Sequence, residues 1–392
     1  METEMGSERA MIRVIGDNIL SPLGLDSAAN LLSILAGESC LRLHEHTFGL
    51  PEPFCASLLD REEIERIALA ETLPAADTTF FEHLCILSAS RAAAAAGIDP
   101  SASDTLILLS TTKGNVACLE ENPDDPRCYL SSSARRIARH FANPNEPIVV
   151  SNACISGICA QIAAVRALLA GRFRRAVVIG ADLLSRFIVS GFQSFKALSF
   201  EPCRPYDRSR TGLNLGEAAA TLILERTDSC DAVAWHYAAS ANHNDANHIS
   251  GPSRTGEGAF RVLCDLLDSV PREELAVVSA HGTATPYNDE MEAIALGRAG
   301  LAALPLCGLK GFYGHTLGAA GVLETILTLH ALDEGLLLPT RGFAEQGTSV
   351  SLNLCDSLRK VPVSNNPLAF FKIMSGFGGS NAGIAYRKGG VE

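Results

Sequence analysis

Four short stretches carry the side chains that could do chemistry. Cys154 stands in SNACISG, where an apolar run feeds a turn of small residues and then a helical pattern. A cysteine just ahead of a helix meets unpaired N–H groups and a partial positive charge. Both favour the thiolate, and both could steady an oxyanion at the same spot. His281, in VVSAHGTATPYND, follows an apolar strand where a loop opens. Strand ends are where α/β sheets bind ligands. His315, in LKGFYGHTLGAAG, has glycines on both sides, Lys310 five residues before it and Glu324 nine after it. No G-x-x-x-x-G-K-[ST] phosphate loop is present. SGFGGSN, residues 375–381, sets three glycines around Phe377 and implies a strained turn whose N–H groups could point into a site. Each has a plainer alternative: a buried structural cysteine, a satisfied histidine, a hairpin turn.

Such residues need a scaffold that brings distant turns together. Strand patterns fall at 11–15, 105–109, 147–151, 176–180, 218–225, 275–279, 369–374 and 382–387. Helical patterns fall at 26–36, 79–96, 131–141, 157–170, 258–269, 290–298 and 318–333. Strands separated by helices predict α/β layering around mostly parallel sheets. PIVVSNACISGICAQIAAVRALLAG and LCGLKGFYGHTLGAAGVLETILTLHALDEG both read strand, small-residue turn, helix. Each carries one reactive side chain at the turn, and each half closes with a hairpin-like pair of apolar runs. The expected organisation is two similar halves, 1–228 with the cysteine and 229–392 with the histidines. Their equivalent turns should face a shared centre, and no Pro/Gly/Ser-rich linker separates them.

Composition narrows the function. Hydrophobic residues at 47% and charged residues at 19% exclude general disorder. A net charge of −12 without a basic cluster argues against a nucleic-acid partner. No apolar run approaches the ~20 residues that span a bilayer. METEMGSERAMIRV lacks a signal peptide's basic-then-apolar pattern, so a cytoplasmic location and free thiols are expected for the 12 cysteines. No C-x-x-C occurs, and no metal site is read.

The joint order of the motifs is specific. A cysteine before a helix, H-G-T-x-T-P-x-N-D, K-x-x-x-x-H-x-x-G-x-x-G and G-F-G-G-x-N, in that sequence, resemble the β-ketoacyl-acyl-carrier-protein synthases. These are the elongating, decarboxylating branch of the thiolase superfamily. The resemblance runs from ILSPLG (19–24) through LAGESCL and RPYDRSRTGLNLGE to Tyr386. It implies a thiolase-like, five-layered αβαβα fold. It also implies decarboxylative Claisen condensation of an acyl thioester with malonyl-acyl-carrier protein, in fatty-acid or in specialised synthesis of the aryl-polyene or polyketide kind. The Cys-His-His triad falls on Cys154, His281 and His315, with Lys310 and Glu324 as the supporting pair around the second histidine. Cys154 would hold the acyl group, and both histidine Nε2–H groups would hold the enolate oxygen. The N–H groups of Cys154 and Phe377 would form the second oxyanion site, and Phe377 would gate the acyl pocket. Thr283, Thr285, Gly376 and Gly378 would line the substrate site. No cofactor is bound permanently; the phosphopantetheine arm of acyl carrier protein delivers substrate. The chain would work as a homodimer or a synthase heterodimer.

Two histidines, rather than a histidine and an asparagine, argue against an initiating synthase. SGFGGSN lacks the second cysteine of a degradative thiolase. A chain-length-factor-type partner subunit is the alternative, but such subunits usually lack the nucleophile that Cys154 supplies. Three departures stand out. Counted back from LEEN (Leu119–Asn122), Lys113 falls where the family sets a small or apolar residue at the acyl-pocket floor. A cation there discourages a long alkyl chain, because burying an unpaired charge is costly; the alternative is a slip of register that leaves Lys113 on the surface. The stretch 68–83 has no Lys or Arg, leaving Arg204, Arg208 and Arg210, or the Arg135–Arg136–Arg139 helix, to meet the carrier. Ala284 and Tyr287 are substitutions expected to alter the rim of the site.

Overall fold

The structure, a computed structural model, describes residues 10–389 apart from 73, 74, 76, 230, 232, 250 and 363–366. The first five strands of the ten-stranded sheet are β1 (Met11–Leu20), β2 (Thr105–Ser110), β3 (Ile148–Val150), β4 (Arg175–Asp182) and β5 (Ala218–Thr227). The next five are β6 (Trp235–Asn244), β7 (Leu275–Ser279), β8 (Leu306–Cys307), β9 (Leu368–Gly376) and β10 (Ser380–Lys388). Their spatial order is β8-β7-β9-β10-β6-β1-β5-β4-β2-β3. Between β1 and β6 the bridge is the pair Arg13–His236, so a five-strand unit lies on either side of that seam. Counted along the chain, both units run third, second, fourth, fifth, first. This repeat is the internal duplication seen in the sequence.

The sheets are mixed, which corrects the mostly parallel expectation. β2 runs parallel to β3 and β4, and β7 parallel to β8 and β9. β5 runs antiparallel to β4 and β1, and β10 antiparallel to β9 and β6. A short turn such as that between β9 and β10 leaves no room for a crossover, so its strands must oppose.

The helices are α1 (Ser27–Leu35), α2 (Arg61–Thr72), α3 (Phe80–Ala96), α4 (Leu130–His140) and α5 (Ser156–Leu169). They continue as α6 (Arg186–Ser194), α7 (Glu257–Leu267), α8 (Pro286–Arg298), α9 (Lys310–Tyr313) and α10 (Ala320–Asp333). On one outer face α3 covers β1, β4 and β5; on the other α7 covers β6 and β10, with α8 against α7. Between the sheets, α5 and α10 touch strands of both units, which completes the αβαβα layering. AGVLETILTLHALD has no polar stripe, as suits a helix walled on every side, and α10 is buried along almost its whole length.

Three of the longer elements were not read from the sequence. WHYAASANHN forms β6, whose polar residues sit at its exposed end; its partner β10 decides that it is a strand. REEIERIALAET forms α2, and RFIVSGFQS forms α6 despite a central glycine. The Ser185 side chain accepts the Ile188 N–H and caps α6.

At the N-terminal ends of the central helices two glycines meet. A methyl group on Gly157 would lie 2.9 Å from Gly321 Cα, and one on Gly321 would lie 2.7 Å from Ile158 N. This contact draws the two reactive turns together. Gly157→Ala would gain about 1 kcal/mol of helix propensity on an open helix. Here the overpacking cost of about 1–3 kcal/mol should win, so that the urea midpoint falls. A raised midpoint would mean that the helices do not touch at that point.

Candidate active site

Cys154 sits in a clasped turn ahead of α5. Ser156 Oγ–H donates to Ala153 O at 2.6 Å and accepts the Asn152 N–H at 2.7 Å. The turn forces Ala153 into the left-handed region at φ 44°, an uncommon conformation for a residue with a side chain. Leu317, two residues past His315, and Ala284, three past His281, are left-handed too, at φ 52° and 63°. Strained backbone at all three turns marks a site whose surroundings over-determine it.

His281 leaves β7 into a loop fastened by two buried carboxylates of α8. Glu292 accepts the N–H groups of His281 and Gly282 at 2.6 and 3.0 Å, and Asp289 accepts that of Thr283 at 2.9 Å. Tyr206 supports both, donating its hydroxyl to Glu292 at 2.5 Å and its N–H to Asp289 at 2.7 Å. His315 is fixed by its own backbone: its N–H donates to Asn214 O at 2.7 Å and its carbonyl accepts Gly216 N–H at 3.0 Å. Leu317 N–H donates to His315 Nδ1 at 3.3 Å. A neutral ring that accepts at Nδ1 carries its proton on Nε2. That Nε2 is buried and has no partner among the described residues. On His281 the buried unpartnered nitrogen is Nδ1. The rings meet edge to face at 5.1 Å between centroids. Cys154 Sγ and one nitrogen of each ring all lie within 4.8 Å of one another.

Behind the histidines is a buried ionic cluster. Lys310 Nζ donates to Glu324 Oε1 at 2.8 Å and to His281 O at 2.6 Å. Lys372, which sequence reasoning missed, donates to the other Glu324 oxygen and to the Ala280 carbonyl at 2.9 Å. Its one signal in the sequence was a lone cation inside the apolar run LAFFKIMSG. Burial, then Lys310 and Lys372, hold both imidazoles well below their ordinary 6.5. Burial also pushes the Cys154 thiol up to about 11, against the charge of Lys310 and a hydrogen bond from the Phe377 N–H. Burial therefore opposes the helix N-terminus, which the sequence expected to favour a thiolate.

Two cavities meet at Cys154. One, of about 500 Å³, reaches His281, His315, Thr283, Thr285 and Gly376. The other, of about 540 Å³, runs past Leu317, Ile188 and Phe187 to Thr112 and Lys113. Phe377 borders both, packed 5.8 Å from Phe192 and 5.4 Å from Phe195 of the α6 segment. Lys113 is exposed in the single chain, with Nζ donating to Thr112 O at 3.2 Å, yet it lines the second cavity. Its loop is held by the buried carboxylate of Asp182, which accepts from Thr112 N–H at 2.9 Å and, on the histidine side, from Gly318 N–H at 2.7 Å.

Other expectations need correction. Gly378 is exposed at the hairpin tip, its N–H tied to Ile249 O at 2.7 Å; Gly379 is the glycine on the cavity wall, because the turn twists the peptide between them. Ala284 is buried beside Leu41, Cys55 and Cys203, away from the rim, whereas Tyr287 is exposed there. Arg210 is no docking cation: it is 8% exposed and donates to the carbonyls of Asp207 and Gly347. Arg204 and Arg208 are exposed but paired with Glu201 and Glu345. Arg135 and Arg136 face Glu146 and Asp77. The eleven described cysteines are all free thiols.

A nucleophile and two neutral imidazoles between two cavities, on a duplicated αβαβα frame, define a condensing enzyme that works through a thioester. Comparison with known proteins agrees. The model for the β-ketoacyl synthase N-terminal domain matches residues 10–229 and that for the C-terminal domain matches 233–344. The 3-oxoacyl-[acyl-carrier-protein] synthase 2 of Vibrio cholerae is 29% identical over 97% of this chain and 100% of its own. Among solved structures, the ishigamide ketosynthase/chain length factor superposes with a TM-score of 0.85 at 24% identity, covering 97% of this chain and 100% of that one. A ketosynthase in complex with its chain length factor, from Xenorhabdus doucetiae, gives 0.82 at 20% identity over 97% and 99%. The chain belongs to the β-ketoacyl synthase family. Its reaction is the decarboxylative Claisen condensation of an acyl thioester with malonyl-acyl-carrier protein, in fatty-acid or specialised synthesis.

The depressed histidines have a consequence for stability. Their protonation is easier in the unfolded chain, so stability is complete above about pH 6.5 and declines as pH falls below it. His315→Gln should lack part of that decline. The parent's advantage in unfolding midpoint should shrink between about pH 7 and about pH 5; parallel curves would show that the imidazole is not shifted.

Proposed function

We propose that Cys154 takes the acyl group from the carrier and that His281 and His315 hold the malonyl unit as it loses CO2. The observation that carries this is the meeting of Sγ with two ring nitrogens at the junction of two cavities, with a buried, unpartnered Nε2–H on His315. The Cys154 sulfur attacks the carrier thioester; the carrier thiol leaves with the proton and a new thioester forms. Malonyl-carrier then enters the cavity lined by Thr283, Thr285 and Gly376. Its thioester carbonyl oxygen accepts from His315 Nε2–H and from a ring N–H of His281, so that the enolate left by CO2 meets two donors. The enolate carbon attacks the acyl-cysteine. The N–H groups of Cys154 and Phe377 receive that second oxyanion, and the sulfur leaves. Lys310 and Glu324 hold the His281 loop. Phe377, bordering both cavities against Phe192 and Phe195, gates the passage between them.

The division into halves at residues 228 and 229 belongs to the same proposal, as do a cytoplasmic location and assembly as a homodimer or a synthase heterodimer. The phosphopantetheine arm of acyl carrier protein is the delivery group, with no cofactor held between turnovers. Arg204 and Arg208 remain candidate contacts for the carrier. Among the described residues no helix is long and apolar enough to cross a membrane. A chain-length-factor role is the second reading, favoured by the solved neighbours that carry that description. Retention of Cys154 beside both histidines speaks for the active subunit.

Replacing either His281 or His315 by Ala should abolish decarboxylation of malonyl-carrier, a loss of roughly 3–4 kcal/mol in transition-state stabilisation, while acylation of Cys154 survives in part. Intact mass and CO2 release measure the two steps separately; decarboxylation near the parental rate in both variants would defeat the assignment. Lys113→Ile should extend the acyl range, since each buried methylene is worth about 0.8 kcal/mol and two more carbons should show as about a tenfold gain in relative acylation rate. Identical chain-length profiles would mean that Lys113 does not limit the pocket.

A further inference from the structure

Lys372 lies in the middle of β9 with a side chain 0% exposed. An ammonium in such a place costs several kcal/mol unless it is paired and hydrogen-bonded. Its carboxylate partner Glu324 is shared: one oxygen faces Lys372 and the other faces Lys310. Two ammoniums share this one carboxylate, and the buried Glu292 also acts on Lys372. Satisfying Glu324 would have needed a single lysine. The remaining donors go to three successive carbonyls at the end of β7, Ser279 at 3.3 Å and Ala280 at 2.9 Å from Lys372, and His281 at 2.6 Å from Lys310. The cluster thus grips the segment from which His281 emerges.

We infer that Lys372 is a positioning residue for the decarboxylating step: it clamps the β7 end that presents His281 and adds a second positive charge behind the rings that hold the enolate. The inference rests on the reading that His281 and His315 hold the enolate oxygen. This second charge also bears on the resting state, since with burial and Lys310 it lowers the proton affinity of both rings. A neutral His315 can accept the Leu317 N–H at Nδ1 and keep Nε2–H for substrate. Besides the two lysines, the groups facing the rings are Glu324 from α10, the Cys154 thiol ahead of α5, Glu292 of α8 through the His281 N–H, and Asp182 of β4 through the Gly318 N–H.

The test compares the parent with Lys372→Met and Lys372→Gln, measuring malonyl-carrier decarboxylation and Cys154 acylation separately across pH. A parent that never decarboxylates malonyl-carrier defeats the functional reading and the inference with it. With an active parent, the acid limb of decarboxylation should move up by about one pH unit in both variants, because losing a like charge raises an imidazole's proton affinity. Acylation should fall less than decarboxylation. A lysine that only holds the fold would lower both steps together and leave the limb in place; that outcome overturns the inference even though the function stands. A measurement in the parent needs no variant to fold. By NMR of labelled histidines both site imidazoles should stay neutral at about pH 6, and a site ring titrating at the ordinary value would equally overturn it.

Discussion

The structure depends on how closely α5 and α10 approach each other between the two sheets. With a side chain at Gly157 or Gly321 the added carbon would lie only 2.9 or 2.7 Å from backbone atoms of the other helix, so the helix ends would have to part. The turns at those ends carry Cys154 and His315, so the separation of nucleophile and imidazole is set by backbone contact rather than by flexible side chains. The strained residues Ala153 and Leu317 belong to the same arrangement. Strain of this kind, of order 1–3 kcal/mol per residue, persists only where packing on every side forbids relaxation.

Placing reactive groups between two sheets also decides their electrostatics. Desolvation raises the thiol and lowers both imidazoles, so the resting site holds no ion pair among its three reactive groups. Positive charge is supplied one layer further back, by Lys310 and Lys372 around Glu324. Burial works to raise the Glu324 carboxyl, yet the two ammoniums outweigh it and hold it below its usual range. A site built this way waits for negative charge to arrive with the substrate, as a decarboxylation that generates an enolate requires.

The two cavities divide the work differently. The histidine side is rigid, fastened by Glu292, Asp289 and Tyr206. The acyl side is walled by aromatic and hydroxyl-bearing residues of α6 and ends at the exposed cation of Lys113, held on a loop by Asp182. Asp182 also accepts the Gly318 N–H, which ties the wall of the acyl cavity to the His315 turn. One buried carboxylate therefore holds the loops on both sides.

The side chains that meet where the two cavities join were legible in the chain. Motif order located Cys154, His281, His315, Lys310 and Glu324, because turn chemistry is local and small residues must flank a strained turn. The duplicated strand-turn-helix blocks foretold the repeated frame. Strand direction, β6 and α6 were not legible: β6 is polar at one end and owes its conformation to β10, and direction depends on where each chain segment returns. The role of Lys372 was hidden for the same reason. A lysine in an apolar run signals something unusual, but only the folded chain shows that Glu324, far away in sequence, already holds a second ammonium. Arg210 and Gly378 were misplaced because exposure is a property of what packs on a residue, which local sequence does not encode. The sequence by itself determined which side chains stand at the turns that meet. The tertiary structure decided their distances, their protonation and which charges surround them, since all three follow from burial between elements far apart in the chain.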